Sequence, residues 1–294
     1  MIHGLLSSPR TWVDMANELR SIPGFSDRYQ IWGFRYATGR PFMASAAVLR
    51  RDLCVALSQL KQINADPALD HVVLVGHSMG GLIAKAQISF SGDKLWFAAA
   101  NRSLSQITAD QDTRNRLDES FYFAPQPSVR RVVFVAVPHR GSTLATRLVG
   151  QIGTALVEPE PVQKKWHRQL VRNNPGVFSD ELRRRIPTSI DLLKSDSKLL
   201  QALYCLPVSN NVSMHSIIGN GRLSIGDGRG DGVVGIKSAR HPLVKSEYFV
   251  RATHTEIHRR PETVREIWRI LSLHYDEFRG ATTPDQGKLI PTAK

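Results

Sequence analysis

The stretch from residue 70 to residue 87, DHVVLVGHSMGGLIAKAQ, constrains the fold of this chain more than any other. It begins with the apolar run Val72–Val75, which is short and β-branched, as is typical of a strand buried on both faces. The run ends in the turn GHSMG, and apolar residues at helical spacing follow it. An ordinary strand-to-helix turn can contain Gly-x-Ser-x-Gly, but the flanking strand and helix favour a nucleophile elbow. In such an elbow Ser78 occupies strained backbone at the tip, with the N-terminus of the helix beneath it.

The rest of the chain alternates between β-forming runs and helical patterns, which predicts a mostly parallel sheet of βα units. Met1 and Ile2 resemble the last residues of a strand, and no strand precedes them in this sequence, so a truncated chain is expected. Further strands are expected at 30–36, 130–137, 212–219 and 247–250, and helices at 9–19, 44–62 and 261–273.

Shifts in composition divide the chain into successive segments. The expected divisions are the first part of a core at 1–142 (with a surface insertion at 91–128), a basic helical cap at 143–205, the rest of the core at 206–279 and a disordered tail at 280–294. The cap is interpreted as an insertion over the site, because its helical pattern is broken repeatedly by proline.

The net charge is +13, from 39 basic and 26 acidic residues. This excess favours contact with anionic surfaces such as lipid headgroups, although such charges often serve solvation alone. No nucleic-acid-binding module is present, and nucleic acid is not expected as a partner. The sequence contains no signal peptide and no apolar run long enough to span a membrane, and the location of the protein is left open.

The two cysteines form no metal-binding framework. Cys54 falls within a helical pattern, so a buried free thiol is expected, with a disulfide to Cys205 as the alternative in an exported protein. The segment HTEIH at 254–258 lacks the glutamate position of a zinc protease, and the loop at 226–232 lacks the last glutamate of an EF-hand. No metal and no cofactor are predicted.

A serine hydroxyl needs a base, and the base needs a carboxylate to orient it. In a chain with a nucleophile elbow, the acid and the histidine come after the serine in the sequence, on loops at the ends of later strands. Asp231 lies in such a loop, and His254 lies after the next strand, 23 residues further on (254 − 231). These two residues are the favoured partners of Ser78, with Asp227 and His258 as their rivals. Three other histidines are placed less suitably: His139, His215 and His241.

Two backbone amides are expected to bind the negatively charged oxygen of a tetrahedral intermediate. One belongs to Met79, directly after the nucleophile, and the other lies in the loop after the first strand. In that loop Gly4 lets the backbone approach closely, and Leu5 offers its N–H.

Taken in order, these motifs resemble the α/β-hydrolase superfamily, most closely the bacterial lipases and the GPI inositol-deacylase-like lipases and esterases. The resemblance covers most of residues 1–275 and implies a mostly parallel sheet flanked by helices, with a helical cap. The motifs are HGL at 3–5, GHSMGG at 76–81, VPHRGS at 137–142 and GDGVV at 230–234 followed by His254.

The resemblance implies a carboxylic ester hydrolase of bacterial origin that acts on acyl esters or lipids. It assigns Ser78 as nucleophile, His254 as base and Asp231 as acid, with Leu5 and Met79 as oxyanion donors. The alternatives are an acyltransferase or amidase with the same triad, and a binding module without catalysis.

Two departures from the family pattern affect these expectations. In the family an inner strand of the sheet ends at His-Gly, whereas here only Met1 and Ile2 represent it. The sheet should therefore be open beside the elbow strand, with unpaired backbone groups. Related bacterial lipases hold calcium partly through an Asp two residues after the catalytic histidine. Glu256 stands there in this chain and no partner ligand is evident, so calcium is not predicted.

Overall fold

Four parallel strands form the central sheet in the computed structural model, which describes residues 1–142, 161–224 and 228–282. Val72–Val75 pairs in parallel with the strand at Val129–Val135, and the βα arrangement predicted from the sequence is confirmed. In spatial order the strands are β1 (Val72–His77), β2 (Val129–Val135), β3 (Ser213–Gly219) and β6 (Ser246–Val250); β4 (Arg222–Ser224) and β5 (Gly228–Gly230) form a separate antiparallel pair.

Helices cover both faces of the sheet and connect its strands. The long helix predicted at 44–62 and the one predicted from 261 are both present, and each extends beyond the predicted bounds. The helices are α1 (Val13–Ser21), α2 (Phe42–Ile63), α3 (Met79–Ala86), α4 (Lys94–Ala99), α5 (Gln111–Phe121), α6 (Pro161–Asn173), α7 (Asp180–Arg184), α8 (Ser189–Leu192), α9 (Lys198–Tyr204), α10 (Ile236–Ala239) and α11 (Pro261–Thr282).

Alternation of side chains along the strands divides the core into two layers. Leu74 and Val132 oppose each other and pack against α2 and α3, whereas the next pair, Val75 and Val133, packs against α1 and α11. Because successive side chains of a strand point to opposite faces, unbroken apolar runs are required where both faces are covered. This two-sided burial fixes the position of β1, and therefore of the turn that follows it.

The strand expected at 30–36 is wrong. Within this segment only Phe34 forms a β-bridge, and its partner is Ile2. Ile2 also bridges Gly76, so it lies between β1 and the 30–36 segment. Apart from Ile2, no described strand lies beside this edge of β1. Residues 30–33 therefore have no neighbouring strand with which to form ladder hydrogen bonds, and the sequence pattern alone does not show this.

The segments expected outside the core contribute to it where they are described. Trp96 in α4 and Phe121 in α5 are buried, and their rings lie 5.3 Å apart edge to face. Leu170 of α6 joins the same apolar cluster. Residues 143–160 of the predicted cap and 283–294 of the predicted tail lie outside the described residues, and the division into core and cap stays a prediction.

The expectation of a buried thiol at Cys54 is wrong. Both Cys54 and Cys205 are free and exposed. Cys54 lies beside the stripe of α2 that Leu49, Leu53 and Leu57 bury, so its side chain faces solvent. Among the described helices, none is both long enough and apolar enough to cross a membrane.

Candidate active site

Ser78 lies at the tip of the turn between β1 and α3, with backbone angles φ 53° and ψ −127°. A positive φ is unfavourable for a residue with a Cβ atom and persists only where the surrounding structure enforces it. Two bonds do so, because the Ser78 amide donates to the Val135 carbonyl (2.9 Å) and the Gly81 amide donates to the Ser78 carbonyl (2.9 Å). The strand and the helix thus hold the serine where the sequence predicted it.

The glycines of the turn allow three backbone segments to meet. A Cβ on Gly76 would lie 2.6 Å from the Gly80 carbonyl oxygen, and a Cβ on Gly80 would lie 2.5 Å from the His3 carbonyl oxygen. Neither contact is possible for a real side chain without movement of the backbone. The turn and the loop at residues 3–5 can therefore pack together only with glycine at both positions.

A continuous chain of hydrogen bonds joins Ser78, His254 and Asp231. The Ser78 hydroxyl lies 2.9 Å from His254 Nε2, and His254 Nδ1 lies 2.7 Å from Asp231 Oδ2. All three residues are buried. An Nδ1–H directed at the carboxylate leaves Nε2 as an acceptor for the serine proton, which is the tautomer that a general base requires.

The backbone around Asp231 fixes the carboxylate. Its Oδ1 atom accepts the amides of Val233 (2.9 Å) and Val234 (2.7 Å), which leaves Oδ2 for the histidine. The His254 amide also donates to the Asp231 carbonyl at 3.0 Å, so the two loops are joined by main chain as well as by side chains. A Cβ on Gly219, the last residue of β3, would lie 2.6 Å from the Asp231 Cβ. Glycine at the end of β3 is therefore needed for the loop to approach.

The loop at residues 3–5 packs directly on the serine. A Cβ on Gly4 would lie 3.1 Å from Ser78 Cβ, which is tighter than an ordinary contact. Among the described residues, no hydrogen bond uses the amide of Leu5. Met79 is the first residue of α3, where an amide has no acceptor within the helix. Within the described part of the chain, both amides predicted as oxyanion donors are thus unpaired.

The sequence model of the alpha/beta hydrolase family matches residues 1–223. The chain belongs to the alpha/beta hydrolase family. The comparison with curated protein sequences found no match.

Solved structures of lipases and esterases share the fold of this alpha/beta hydrolase. It is similar to the mature lipase BlEst2 of Bacillus licheniformis, with 17% identity, a TM-score of 0.53, and 92% of this chain and 89% of that chain covered. EstA of Clostridium botulinum gives 13% identity and a TM-score of 0.53, with 93% and 85% covered. Phospholipase PlaB of Legionella pneumophila gives 13% and 0.53, with 95% of this chain and 62% of the Legionella chain covered.

A cluster of three buried histidines, His3, His77 and His258, packs at the serine turn in this alpha/beta hydrolase. The side of the turn that they occupy is termed the inner side. His77 Nε2 donates to the carbonyl of His254 (3.0 Å), and His258 Nε2 is hydrogen-bonded to Thr11 Oγ1 (2.7 Å). The rings of His77 and His258 lie 4.8 Å apart, and His3 Nδ1 donates to the Gly4 carbonyl. One ring nitrogen of each inner histidine (His3, His77 and His258) has no partner among the described residues.

Burial keeps these inner histidines neutral. Burial lowers the pKa of His77 well below its usual range, and the nearby His254 and His258 lower it further. Burial, with Arg259 and His254 as lesser causes, lowers the pKa of His258 to about 4. Burial also lowers the pKa of His3. The serine turn is therefore backed by uncharged imidazoles near neutral pH.

The structure places the rival residues elsewhere. His258 contacts Thr11 rather than Ser78, and Asp227 lies outside the described residues. His215 is hydrogen-bonded to Arg131 inside the sheet (2.6 Å), and His241 to the buried Lys85 (2.8 Å). His139 is buried against Phe134 and His241.

The position considered for calcium holds no ligand cluster. Glu256 accepts a hydrogen bond from the Thr253 hydroxyl (2.7 Å). Among the described residues, no group of three or more His, Cys, Asp or Glu side chains could hold a metal ion.

Sequence reasoning assigned no role to His77, which the structure bonds to the loop of His254. The motif contains His77 only at a variable position, and its partner is a backbone carbonyl 177 residues away. No local sequence signal marks such a contact, since the acceptor has no side-chain identity.

Proposed function

We propose that this protein is a serine carboxylic ester hydrolase that cleaves acyl esters through an acyl-enzyme intermediate. The observation that carries the proposal is the hydrogen-bonded series of Ser78, His254 and Asp231, with the serine at positive φ on the tip of a strand-to-helix turn. Membership of the alpha/beta hydrolase family supports hydrolytic chemistry in general.

In the first half of the proposed reaction, His254 Nε2 removes the hydroxyl proton as Ser78 Oγ attacks the ester carbonyl. Asp231 stabilises the imidazolium that forms. Hydrogen bonds from the backbone amides of residues 233 and 234 keep its second oxygen occupied. The carbonyl oxygen becomes negatively charged and is bound by the free amides of Leu5 and Met79. The alcohol then leaves with the proton from His254.

In the second half, water takes the place of the alcohol. His254 removes one proton from the water as its oxygen attacks the acyl carbonyl, and the same two amides bind the negative charge. Collapse of this second intermediate releases the carboxylic acid and returns the proton to Ser78. Each proton removed by His254 is returned, so the enzyme is restored after one turnover.

The direct test is hydrolysis of p-nitrophenyl esters from acetate to palmitate by the wild type and by Ser78→Ala. We expect the substitution to lower kcat by about 10³-fold or more, because it removes the nucleophile of a unit that acts together. Ser58→Ala, an exposed serine of α2, is the matched control and should keep full activity. Full activity of folded Ser78→Ala would overturn the proposal, and the chain-length profile separates esterase from lipase.

Covalent labelling separates the enzyme from a binding module on the same fold. A fluorophosphonate reacts only with an activated serine, so it should label the wild type and leave Ser78→Ala unlabelled. Absence of labelling in the folded wild type would favour the binding module. An added alcohol or amine acceptor in the ester assay distinguishes an acyltransferase, which forms a new ester or amide in preference to free acid.

The basic surface supports peripheral contact with anionic lipid as part of the same proposal. The net charge is +13, and α6 exposes several cations, including Lys165, Arg168 and Arg172. The protein should co-sediment with phosphatidylserine vesicles at low salt and remain in the supernatant at high salt. Equal binding to phosphatidylcholine vesicles, or salt-independent binding, would contradict an electrostatic contact.

A further inference from the structure

A basic cavity of about 630 Å³ opens between the loop after β2, α10 and the start of β6. Four cationic side chains line it, and Glu247 is the one carboxylate among its described lining residues. Ser78, His254 and Asp231 do not line this cavity, so it is separate from the serine site. The four cationic residues are Arg140, Lys237, Arg240 and Lys245.

The carboxylate in the wall neutralises only one of these cations. Arg240 Nε lies 2.8 Å from Glu247 Oε2 and 3.1 Å from Oε1, and Arg240 Nη2 lies 2.7 Å from Oε2. The side chains of Lys237 and Lys245 are exposed and form no hydrogen bond or ion pair with a described residue. Together with Arg140, they leave three positive charges without a described counter-charge around one cavity.

Arg140 is held at the cavity by neutral partners. Its Nη2 atom donates to the Tyr204 hydroxyl (2.6 Å), and its guanidinium lies 4.8 Å from the centre of the Tyr204 ring. The Arg140 amide donates to Ser238 Oγ of α10 (3.3 Å). These contacts position the guanidinium without removing its charge. A guanidinium in a fixed position suits the oxygens of a phosphate group.

The interior behind the cavity is basic as well. His241 lines the cavity, is only 3% exposed, and has its Nε2 atom 2.8 Å from Lys85 Nζ. Lys85 is fully buried and donates to the Tyr204 carbonyl (2.7 Å), and no described carboxylate pairs with it. Burial lowers the pKa of Lys85 to about 7, as expected of an ammonium group without a carboxylate partner. The interior therefore supplies no negative charge to offset the cations of the wall.

We propose that this cavity binds a phosphate monoester group through Arg140, Lys237 and Lys245. Such a group carries roughly 1.5 to 2 negative charges near neutral pH and offers three acceptor oxygens. A carboxylate, with a single charge, would leave most of the excess uncompensated. Soluble phosphate esters and the headgroup of phosphatidic acid share this chemistry, and separate assays distinguish these two sources.

Isothermal titration calorimetry with sn-glycerol 3-phosphate tests the site on the full chain in solution. We expect saturable binding at low salt, and none with glycerol, which lacks the phosphate. The ester should also raise the melting temperature by roughly 5 °C at a hundred times its dissociation constant, because it binds only the folded state. No saturable binding at millimolar concentrations would overturn the proposal.

A matched pair of lysine variants locates the site. Lys245→Gln removes one free cation of the cavity and should weaken binding of sn-glycerol 3-phosphate by about ten-fold. Lys94→Gln removes another exposed lysine, in α4 and outside the cavity, and should leave binding unchanged. Unchanged affinity in Lys245→Gln, or equal losses in the two variants, would refute a defined site and indicate diffuse attraction by the net charge.

Stability provides an independent check on the same variant. Because Lys245 is surrounded by like charges, Lys245→Gln should not lower the melting temperature in the absence of phosphate, and weaker binding cannot then be a folding defect. Lys245→Gln should hydrolyse p-nitrophenyl butyrate like the wild type, and Ser78→Ala should bind sn-glycerol 3-phosphate like the wild type. Failure of the esterase proposal and failure of this one are therefore distinguishable.

Co-sedimentation with vesicles identifies the source of the phosphate group. Phosphatidic acid carries a phosphate monoester, whereas phosphatidylglycerol carries a diester, and the two are compared in vesicles of equal surface charge. Preference of the wild type for phosphatidic acid, lost in Lys245→Gln, would support the site and identify the lipid headgroup. Saturable calorimetric binding of sn-glycerol 3-phosphate with no preference between the vesicles would support the site and identify a soluble ester.

Discussion

Histidine side chains on the two sides of the serine turn differ in their hydrogen bonding. On the outer side both ring nitrogens of His254 have partners, one on Ser78 and one on Asp231. On the inner side His77 and His258 each have one bonded nitrogen and one unpartnered nitrogen. The outer histidine faces a carboxylate, and the ring of His77 packs against the rings of both His258 and His254.

The difference shows how a site can favour a positive charge on one imidazole without favouring it on the imidazoles beside it. In the proposed reaction His254 must become positive for an instant, and Asp231 favours that charge. A second imidazolium in contact with it would oppose the charge. Burial keeps the pKa of His77 well below its usual range, so the inner side supplies packing and one hydrogen bond without a competing cation.

The strongest way to break this comparison is to remove the charge from the outer side. Asp231→Asn keeps the shape of the side chain and an oxygen for the amides of residues 233 and 234, but it no longer favours the imidazolium or the correct tautomer. We expect kcat for p-nitrophenyl butyrate to fall by about 10³–10⁴-fold. The melting temperature should change much less than the rate. Near-normal kcat in this variant would refute the assigned role of Asp231.

The next largest effect should come from the inner side. His77→Leu removes the donor to the His254 carbonyl together with the unpartnered Nδ1, so the free energy of unfolding should fall by about 1 kcal/mol. The rate should fall less than in Asp231→Asn, because the loop of His254 is still held by the hydrogen bond from the His254 amide to the Asp231 carbonyl. His77→Gln, which keeps an N–H donor, should recover most of the stability in urea denaturation. Equal stability of the Leu and Gln variants would mean that the hydrogen bond contributes nothing.

The last prediction concerns pH and sharpens the comparison on the inner side. The pKa of His258 is lowered from 6.5 to about 4 in the folded protein. Above pH 6.5 the residue is neutral in both states, and its contribution to stability is fully present. Between pH 6.5 and pH 4 the unfolded chain takes up a proton that the folded chain does not, so the free energy of unfolding falls.

His258→Gln removes this titration and can keep a hydrogen bond to Thr11. Urea midpoints measured between pH 7.5 and pH 4.5 should therefore decline less steeply in the variant than in the wild type. His77 remains in both proteins and should preserve part of the decline. Parallel slopes would show that His258 is not the group that loses stability in acid.

Local pattern was sufficient for the elements around the serine turn. The β-branched run at Val72–Val75 and the glycines after it specify a buried strand and a tight turn within a few residues, and both are present. The order of motifs also led to the pairing of Asp231 with His254, since both residues follow strands of the sheet. The sequence favoured His254 and kept His258, four residues away, as its rival. The fold gives the physical difference, because His254 is hydrogen-bonded to Ser78 and Asp231 whereas His258 is hydrogen-bonded to Thr11.

The errors arose where tertiary context decides. The segment at 30–36 has β-forming residues, but a strand needs a hydrogen-bonded neighbour, and among the described residues only Ile2 bridges this segment, at Phe34. Cys54 was predicted buried from its helical surroundings, although the buried stripe of α2 passes through Leu53 and Leu57 instead. In both cases the residue type suited the prediction and the geometry of its neighbours did not.

The length of chain between Ser78 and His254 has a consequence for synthesis. The contact of Ser78 with His254 joins residues 176 positions apart. While the ribosome is still translating the middle of the message, the serine has already emerged but no base exists for it. Contacts of such long range also form late and slowly in folding. Reactivity should therefore switch on only as the last quarter of the polypeptide docks, so that an arrested nascent chain carries an inert hydroxyl.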